Sequence, residues 1–307
     1  MMRRTRSRHR QHGQILVLFA LSLVVLLGFG GLALDGGSTF AQRRDEQTAA
    51  DLAALAAAND YLINGNQQAA IDRALSVAAT NGYPNDVGGT SVDVAIDTHN
   101  GIQVTVAVSA QHHNQLVGVI GMPTWTVTVQ GTALAGFPDT AYGAAPFIFS
   151  AGAFAQDGTP LYQAPIDFGE TNGDVPTGPL DIAWTNYGTG NVNTNEVRSI
   201  ISGDTVINKT LQFGEYIGQH NNGNHTALYG DVDTYLSGKD VPSPVVDANG
   251  NFVGWAIFHI VSASGGSSKH VNGYFVSSFE SAQLAITACA ANNCPRYLGA
   301  YVLKLSG

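Results

Sequence analysis

The chain has 307 residues and a net charge of −9 at pH 7, and its hydrophobic fraction of 44% is large enough to bury a core, which excludes a disordered chain. The first 34 residues contain five arginines and no acidic residue, whereas the remaining residues contain nine basic and 23 acidic side chains. Because so acidic a body repels phosphate groups, nucleic acid is excluded as an expected partner.

An uncharged apolar segment from Ile15 to Leu34 follows the basic tip of residues 1–14. As a helix, its 20 residues match the thickness of the hydrocarbon core of a bilayer. The apolar core of a secretory signal peptide is shorter, about 7–15 residues. The arginines before the segment favour a cytoplasmic N-terminus. The sequence therefore predicts one transmembrane helix from Ile15 to Leu34 and an extracytoplasmic body, residues 35–307.

Two other fates of this segment stay open. A cleaved signal peptide would release the body, but the residues after the apolar run match the Ala-x-Ala-like cleavage pattern poorly. A type IV prepilin leader is cut after a glycine, and Gly13 ends the basic tip as that pattern requires. However, Leu18 stands where the prepilin pattern has a glutamate. We therefore expect the apolar segment to be retained.

The residues after the apolar segment predict a helix that continues out of the membrane. They lack proline and place small or apolar side chains on one helical stripe: Ala49, Leu52, Ala53, Ala56 and Ala57. Such a face permits close packing within its own domain, or against another subunit in a homo- or hetero-oligomer. A second helix is predicted in residues 67–82. Alternating apolar residues around the turn at His99–Gly101 then predict a β-hairpin, followed by a short helix at 114–121 and a strand at 124–135.

The stretch GQILVLFALSLVVLLGFGGLALDGGSTFAQRRDEQTAADLAALAAA resembles the N-terminal signature of TadG-like and TadE-like proteins of the Tad (Flp) pilus assembly system. The residues on that signature include Gln14, Asp35, Gln47, Ala50 and Asp51. The element order is similar to that of the family to about residue 136. The resemblance implies a single-pass protein of the bacterial cell membrane that helps assemble or anchor a thin adhesive pilus. It also implies pilins or other pilus-assembly proteins as partners, with no cofactor and no catalytic residues.

Physical chemistry gives a role to three of these residues. Asp35 cannot lie in hydrocarbon, so together with Gly36 and Gly37 it predicts where the span ends. Gln47 and Asp51 are four residues apart on the predicted helix. Their side chains could pair with each other or with a neighbouring subunit, and we expect local pairing.

From Gly136 the sequence becomes rich in glycine, proline and alanine, which predicts a domain boundary. Beyond it, apolar runs separated by turn residues predict short strands in a sandwich or an irregular barrel, at 180–188, 197–208, 252–264, 270–279 and 297–307. The runs 252–264 and 270–279 predict a long hairpin with core aromatics, namely Trp255, Phe258, Tyr274 and Phe275. The predicted fold class is α+β, with a small α+β domain at 35–136 and a mainly β domain at 137–307.

Candidate ligands and a candidate cross-link lie in this second domain. Cys289 and Cys294 could close a small disulfide loop in an exported segment, or remain two unpaired thiols. Four side chains could approach a metal from loops, namely His220, His225, Asp231 and Asp233. Such loop residues are more often solvated, so no metal site is predicted. The sequence has no H-E-x-x-H, Walker or G-x-S-x-G motif, so no catalytic residue is predicted.

Three functions are compatible with these features. The first is a non-catalytic envelope protein that assists assembly or anchoring of a surface pilus. The second is a membrane-anchored adhesin or binding module, whose β-rich domain binds a ligand. The third is an exported hydrolase, which would need distant side chains to converge into a site. The assembly role is the prediction, because the anchor is joined directly to the alanine-rich helix.

Overall fold

The computed structural model describes residues 12–99, 101–171, 175–188, 192–217, 225–277, 282–287 and 295–306. Within these ranges, residues 12–14 and 120 are described by their backbone alone. Its helices are α1 (His12–Asn64), α2 (Gln67–Thr80), α3 (Thr194–Ser202) and α4 (Thr226–Tyr235). Its strands are β1 (Ser91–Asp97), β2 (Ile102–His113), β3 (Thr124–Gly136), β4 (Thr140–Tyr142), β5 (Phe147–Ser150), β6 (Ile166–Glu170), β7 (Asp181–Trp184), β8 (Asn208–Thr210), β9 (Asp240–Val246), β10 (Phe252–Ser264), β11 (His270–Val276), β12 (Leu284–Ala285) and β13 (Val302–Leu305). Two 3-10 turns occupy Val117–Ile120 and Ala151–Ala153.

Helix α1 runs without interruption for 53 residues. It is long and apolar enough to cross a membrane, and apart from Gly31 the side chains of residues 15–34 are exposed. The predicted continuation of the span into the alanine-rich helix is therefore confirmed. The second predicted helix is α2, which ends where Gly82 adopts a φ of 95°. Only glycine reaches that conformation without strain, so the position stops the helix.

A four-stranded sheet has the order β1-β2-β3-β13. The predicted hairpin corresponds to β1 and β2, and the predicted strand at 124–135 corresponds to β3. The short helix predicted before β3 is the 3-10 turn at Val117–Ile120. Strand β13 pairs antiparallel with the end of β3, with Val302 opposite Gly136 and Leu305 opposite Ala133. A segment distant in sequence therefore completes this sheet.

Six strands close into a barrel in the order β10-β11-β6-β7-β5-β9, which is one of the two architectures predicted for this region. Strands β10 and β11 form the predicted hairpin, with Phe258 opposite Phe275. Aromatic rings pack against one another inside the barrel. The centroids of neighbouring rings are 4.6 to 6.3 Å apart, which is within the usual range for contacts between aromatic side chains. Trp255, Phe258 and Phe275 are buried as predicted, whereas Tyr274 is half-buried and lies against the ring of His259. A third sheet has the order β12-β4-β8.

The strand predicted at residues 197–208 is wrong, because its first half is helix α3. The side chain of Asn193 caps the helix by accepting a hydrogen bond from the backbone of Asn195, and Gly203 ends it with a φ of 85°. The buried side chains of Val197, Ile200 and Ile201 have the spacing of a helical face. Helix α4 was not predicted either. The chain is nevertheless α+β, with a β-rich C-terminal region.

The chain divides into two compact units. The first contains the described residues of Met1–Ala53, Arg73–Val94 and Val106–Gly131. The second contains the described residues of Ala54–Asp72, Ala95–Thr105 and Thr132–Gly307, and so includes the whole barrel. The first unit holds the predicted span and most of the motif residues.

Candidate functional site

Asp35 is buried at the end of the predicted span, with only 1% of its surface exposed. Its Oδ1 accepts a hydrogen bond from the backbone N–H of Gln115 at 2.9 Å. Its Oδ2 accepts two more, from Leu116 at 3.0 Å and Val117 at 2.6 Å. The Val117 N–H is the main cause of a lowered pKa of Asp35, and it outweighs the opposing effect of burial. The carboxylate is thus held in its charged form, and we call this arrangement the Asp35 junction.

The same turn, residues 115–117, also lies against α1 one helical turn before Asp35. A methyl group added at Gly31 would lie 2.9 Å from Cβ of Leu116, which is too close for any side chain. Glycine at this position therefore allows the backbone of α1 to approach the turn directly. The sequence offered a signal for such an approach in the repeated glycines of residues 28–31.

One helical turn after Asp35, polar side chains of α1 meet the strands. Trp125 Nε1 donates to Thr39 Oγ1 at 3.0 Å, and the indole stacks on the ring of His112 with centroids 5.8 Å apart. His112 Nδ1 lies 2.5 Å from Gln42 Oε1, an acceptor, so this ring nitrogen is the donor. Ser38 Oγ lies 3.1 Å from His112 Nε2. These contacts orient α1 on strands β2 and β3, on the C-terminal side of Asp35 along the helix.

Glu46 is a second buried carboxyl group on α1, with no exposed surface. Gln42 Nε2 donates to Glu46 Oε1 at 2.7 Å, while Oε2 has no hydrogen-bond partner. Burial raises the pKa of Glu46, because a charged carboxylate is poorly solvated there. Burial and the charges of Glu46 and Asp45 also raise the pKa of Tyr83. The helix thus carries one carboxyl group stabilised as the anion and one destabilised as the anion.

Gln47, Ala50 and Asp51 form a close contact between α1 and strand β3. Gln47 Nε2 donates to Asp51 Oδ1 at 2.9 Å, which is the expected local pair, and also to the backbone carbonyl of Gln130 at 2.9 Å. A methyl group added at Gly131 would lie 2.6 Å from backbone atoms of Ala50 and Asp51. The motif residues after the span therefore dock the helix on β3 of the same chain. Gly131 was not predicted as part of this contact, although a glycine within a strand signals close backbone approach.

The residues considered as metal ligands have other partners. His225 Nδ1 lies 2.7 Å from Glu170 Oε1, and both side chains are about one-tenth exposed. Arg198 donates to Asp231, with its Nε 2.7 Å from Oδ2, and Asp233 accepts the backbone N–H of Ala263. Among the described residues no three such side chains gather as a metal site requires. His220, Cys289, Cys294 and the side chain of Gln14 lie outside the described residues.

The second unit also contains a cavity of about 560 Å³ at one side of the barrel. Phe137 and Tyr297 form an aromatic wall, with ring centroids 5.8 Å apart. Asp157 and Arg296 are exposed and bring opposite charges to the lining, and Val253 is buried. An aromatic wall beside charged groups is a lining that could hold a polar ligand with an apolar face.

Comparison with known proteins finds one family model that matches the segment with the motif residues. Residues 13–60 match the model of the Tad family, described as Flp pilus-assembly TadE/G-like. No curated protein and no solved structure is significantly similar to the chain. The matched segment contains the apolar part of α1, Asp35 and the residues that dock on Gly131. Over residues 13–60 the chain is therefore similar to the TadE/G-like family, whose model is described in terms of Flp pilus assembly.

Proposed function

We propose that this chain is a single-pass envelope protein that assists assembly or anchoring of a Tad/Flp-type pilus without catalysing a reaction. Its N-terminus lies in the cytoplasm and residues 35–307 lie outside the bacterial cell membrane. The observation that carries the proposal is the single helix α1, which contains both the apolar span and the family segment.

The way α1 meets the exported part supports an anchoring role. A flexible linker after the span would let the exported part move independently of the membrane. Here the helix continues past the span. Asp35 accepts a hydrogen bond from the backbone N–H of Val117, in the turn before β3, and Gln47 donates one to the backbone carbonyl of Gln130 in β3. A force applied by a pilus component to this unit would reach the membrane through a helix, not through a linker.

Deletion of the gene and complementation test the proposal. We expect the deletion strain to lack surface pili, measured in sheared fractions and by electron microscopy, and the wild-type gene to restore them. Asp35→Ala should restore fewer pili, whereas Asp45→Asn, a change on the exposed face of the same helix, should restore them fully. Normal pili in the deletion strain would refute the assembly role.

Intact mass and fractionation of the native protein test the anchor itself. We expect a full-length mass in the membrane fraction. A product that begins near residue 14 and keeps the span would indicate prepilin-type processing and entry into the fibre. A soluble product that begins after Ala33 would refute the anchor.

The cavity beside Phe137 and Tyr297 favours one alternative, an anchored adhesin that binds its ligand in the β-rich domain. In that case Tyr297→Ala should reduce adherence of cells while leaving the number of pili unchanged. A parallel loss of pili and adherence would instead support the assembly role.

A further inference from the structure

The turn held by Asp35 exposes several large apolar side chains. Leu116 is 44% exposed, Val119 83% and Met122 59%. No charged residue occurs between Asn114 and Trp125, although the exported part as a whole is strongly acidic. We call residues 115–122 the apolar turn. A cluster of exposed apolar side chains on one short turn is a surface that something covers.

The position of the apolar turn along α1 indicates what covers it. Leu116 lies against Gly31, which is inside the apolar segment of residues 15–34. At a rise of 1.5 Å per residue, Gly31 is about 6 Å deeper along the helix than Asp35. A turn that touches the helix at this level cannot be well above the membrane surface, because the interfacial region on each side of the hydrocarbon is only about 5–8 Å thick.

The residues around the turn follow the polarity of a membrane interface. The indole of Trp125, half-buried, lies beside Thr39, which is about 6 Å further from the membrane centre than Asp35. Tryptophan with a bonded N–H is favoured at the headgroup level. Neither residues 15–34 of α1 nor the apolar turn contains a charged residue. The carboxylate itself is shielded by three N–H groups, which lets it sit at this boundary.

We propose that the apolar turn enters the outer interface of the bilayer beside the transmembrane helix, where lipid covers Leu116, Val119 and Met122. The chain then has two contacts with the membrane, the span and the turn, joined through the Asp35 junction. Two contacts fix the rotation and tilt of the first unit relative to the bilayer, which one helix alone leaves free. The inference depends on the transmembrane span given under the proposed function.

Lipid is favoured over a second protein copy because the surface is continuous with the span. An exposed apolar surface that adjoins a membrane helix at the depth of Gly31 meets acyl chains before it meets any soluble partner. The absence of charge fits as well, since a negatively charged membrane surface repels the acidic body but not this turn.

The test uses the full chain in vesicles of phosphatidylcholine and phosphatidylglycerol, with Cys289→Ser and Cys294→Ser in every variant. One cysteine is introduced by Val119→Cys, Val87→Cys or Leu26→Cys and labelled with the environment-sensitive fluorophore NBD. Val119 and Val87 are both well exposed, so neither label disturbs packing. Val87 lies in the same unit on another turn and serves as the matched control. Leu26 reports on the span.

We expect a lipid with a shallow spin label to quench the fluorophore at position 119 about threefold more than at position 87, and iodide in the water to quench it less. Equal quenching at 119 and 87 by both reagents, with position 26 quenched by lipid, would overturn the inference and leave the span intact. Protection at 119 from both reagents would mean that protein covers the turn, which also overturns it. No quenching at position 26 by a lipid with a spin label deep in its acyl chain would refute the span and the inference together.

Discussion

The backbone N–H of Val117 donates a hydrogen bond of 2.6 Å to Asp35 Oδ2, although the two residues are 82 positions apart in the chain. Two further N–H groups of the same turn complete the arrangement, so one aspartate satisfies three backbone donors in succession. An aspartate that only marked the end of a span would need no such partners. Asp35 is therefore also a structural link between the helix and the turn before β3.

Asp35→Asn should weaken the packing of the first unit. The variant replaces one carboxylate oxygen, which accepts hydrogen bonds, with an NH₂ group, which can only donate them. It also removes the negative charge that strengthens all three hydrogen bonds. We expect the thermal midpoint of the full chain in detergent, followed by circular dichroism, to fall by at least about 5 °C. Asp45→Asn, at an exposed position of the same helix, should leave the midpoint unchanged. An unchanged midpoint for Asp35→Asn would contradict the structural role.

The contribution of Asp35 should also depend on pH. Its pKa in the folded chain is lowered, so the unfolded chain binds the proton more readily, and the stabilisation is complete above the unfolded pKa of about 3.9. It is lost as the pH falls through the lower folded value. The difference in midpoint between wild type and Asp35→Asn should therefore be constant from pH 6 to 8 and shrink below about pH 4. A difference that grew on acidification would have the wrong sign.

Glu46→Gln should stabilise the chain at neutral pH. Burial raises the pKa of Glu46, so the folded chain binds the proton more tightly and the charged form lowers stability as the pH rises above the unfolded pKa of about 4.3. Glutamine keeps an oxygen for Gln42 Nε2 and carries no charge. We expect a midpoint that is higher by a few degrees at pH 8 and equal to wild type near pH 4, measured by thermal denaturation. Destabilisation at pH 8 would show that the charge of Glu46 is stabilised by another group.

Gly131→Ala should separate α1 from β3. The added methyl group would lie 2.6 Å from backbone atoms of Ala50 and Asp51, which cannot move like the end of a flexible side chain. We expect a loss of about 3 kcal/mol or more in the free energy of unfolding of the full chain, or a failure to fold. Gly118→Ala is the control, because its methyl group would find only one atom, at 3.4 Å. Equal stabilities for the two variants would argue against close docking.

His225→Ala should cost more stability than His259→Ala. Each histidine has its Nδ1 2.7 Å from a carboxylate oxygen, but the pair of His225 with Glu170 is about one-tenth exposed, whereas Asp240, the partner of His259, is 55% exposed. Loss of a buried partner costs about 1–3 kcal/mol, and loss of an exposed pair costs about 0–1 kcal/mol. Chemical denaturation of both variants at pH 7 measures the difference. The reverse order would mean that solvent reaches the Glu170 pair.

Local patterns predicted the elements with a clear period. The length of the apolar run, the alanine stripe and the alternation around Gly101 all reflect neighbours in sequence, and α1, β1 and β2 formed as expected. Helix α3 was misread because its apolar residues, Val197, Ile200 and Ile201, occur in a short run that also fits a strand.

The contacts that define the site depend on residues far apart in the chain. The apolar run places Asp35 at the end of the predicted span, but it contains no information about a turn 80 residues later. In the same way the alanine stripe predicted close packing without indicating Gly131 as the partner. A glycine in a strand or span signals a close approach, and only the tertiary structure identifies what approaches it.

The pairing of β13 with β3 has a consequence for export. If the chain is threaded outward from its anchored N-terminus, residues 133–136 emerge long before residues 302–305 that pair with them. Until then the edge of β3 has unpaired backbone groups in the envelope, where a free edge invites pairing with another chain. The sheet β1-β2-β3-β13 would therefore be completed only after the barrel has been synthesised and translocated. A stalled or truncated export product would be prone to aggregate even though its membrane segment and family motif were intact.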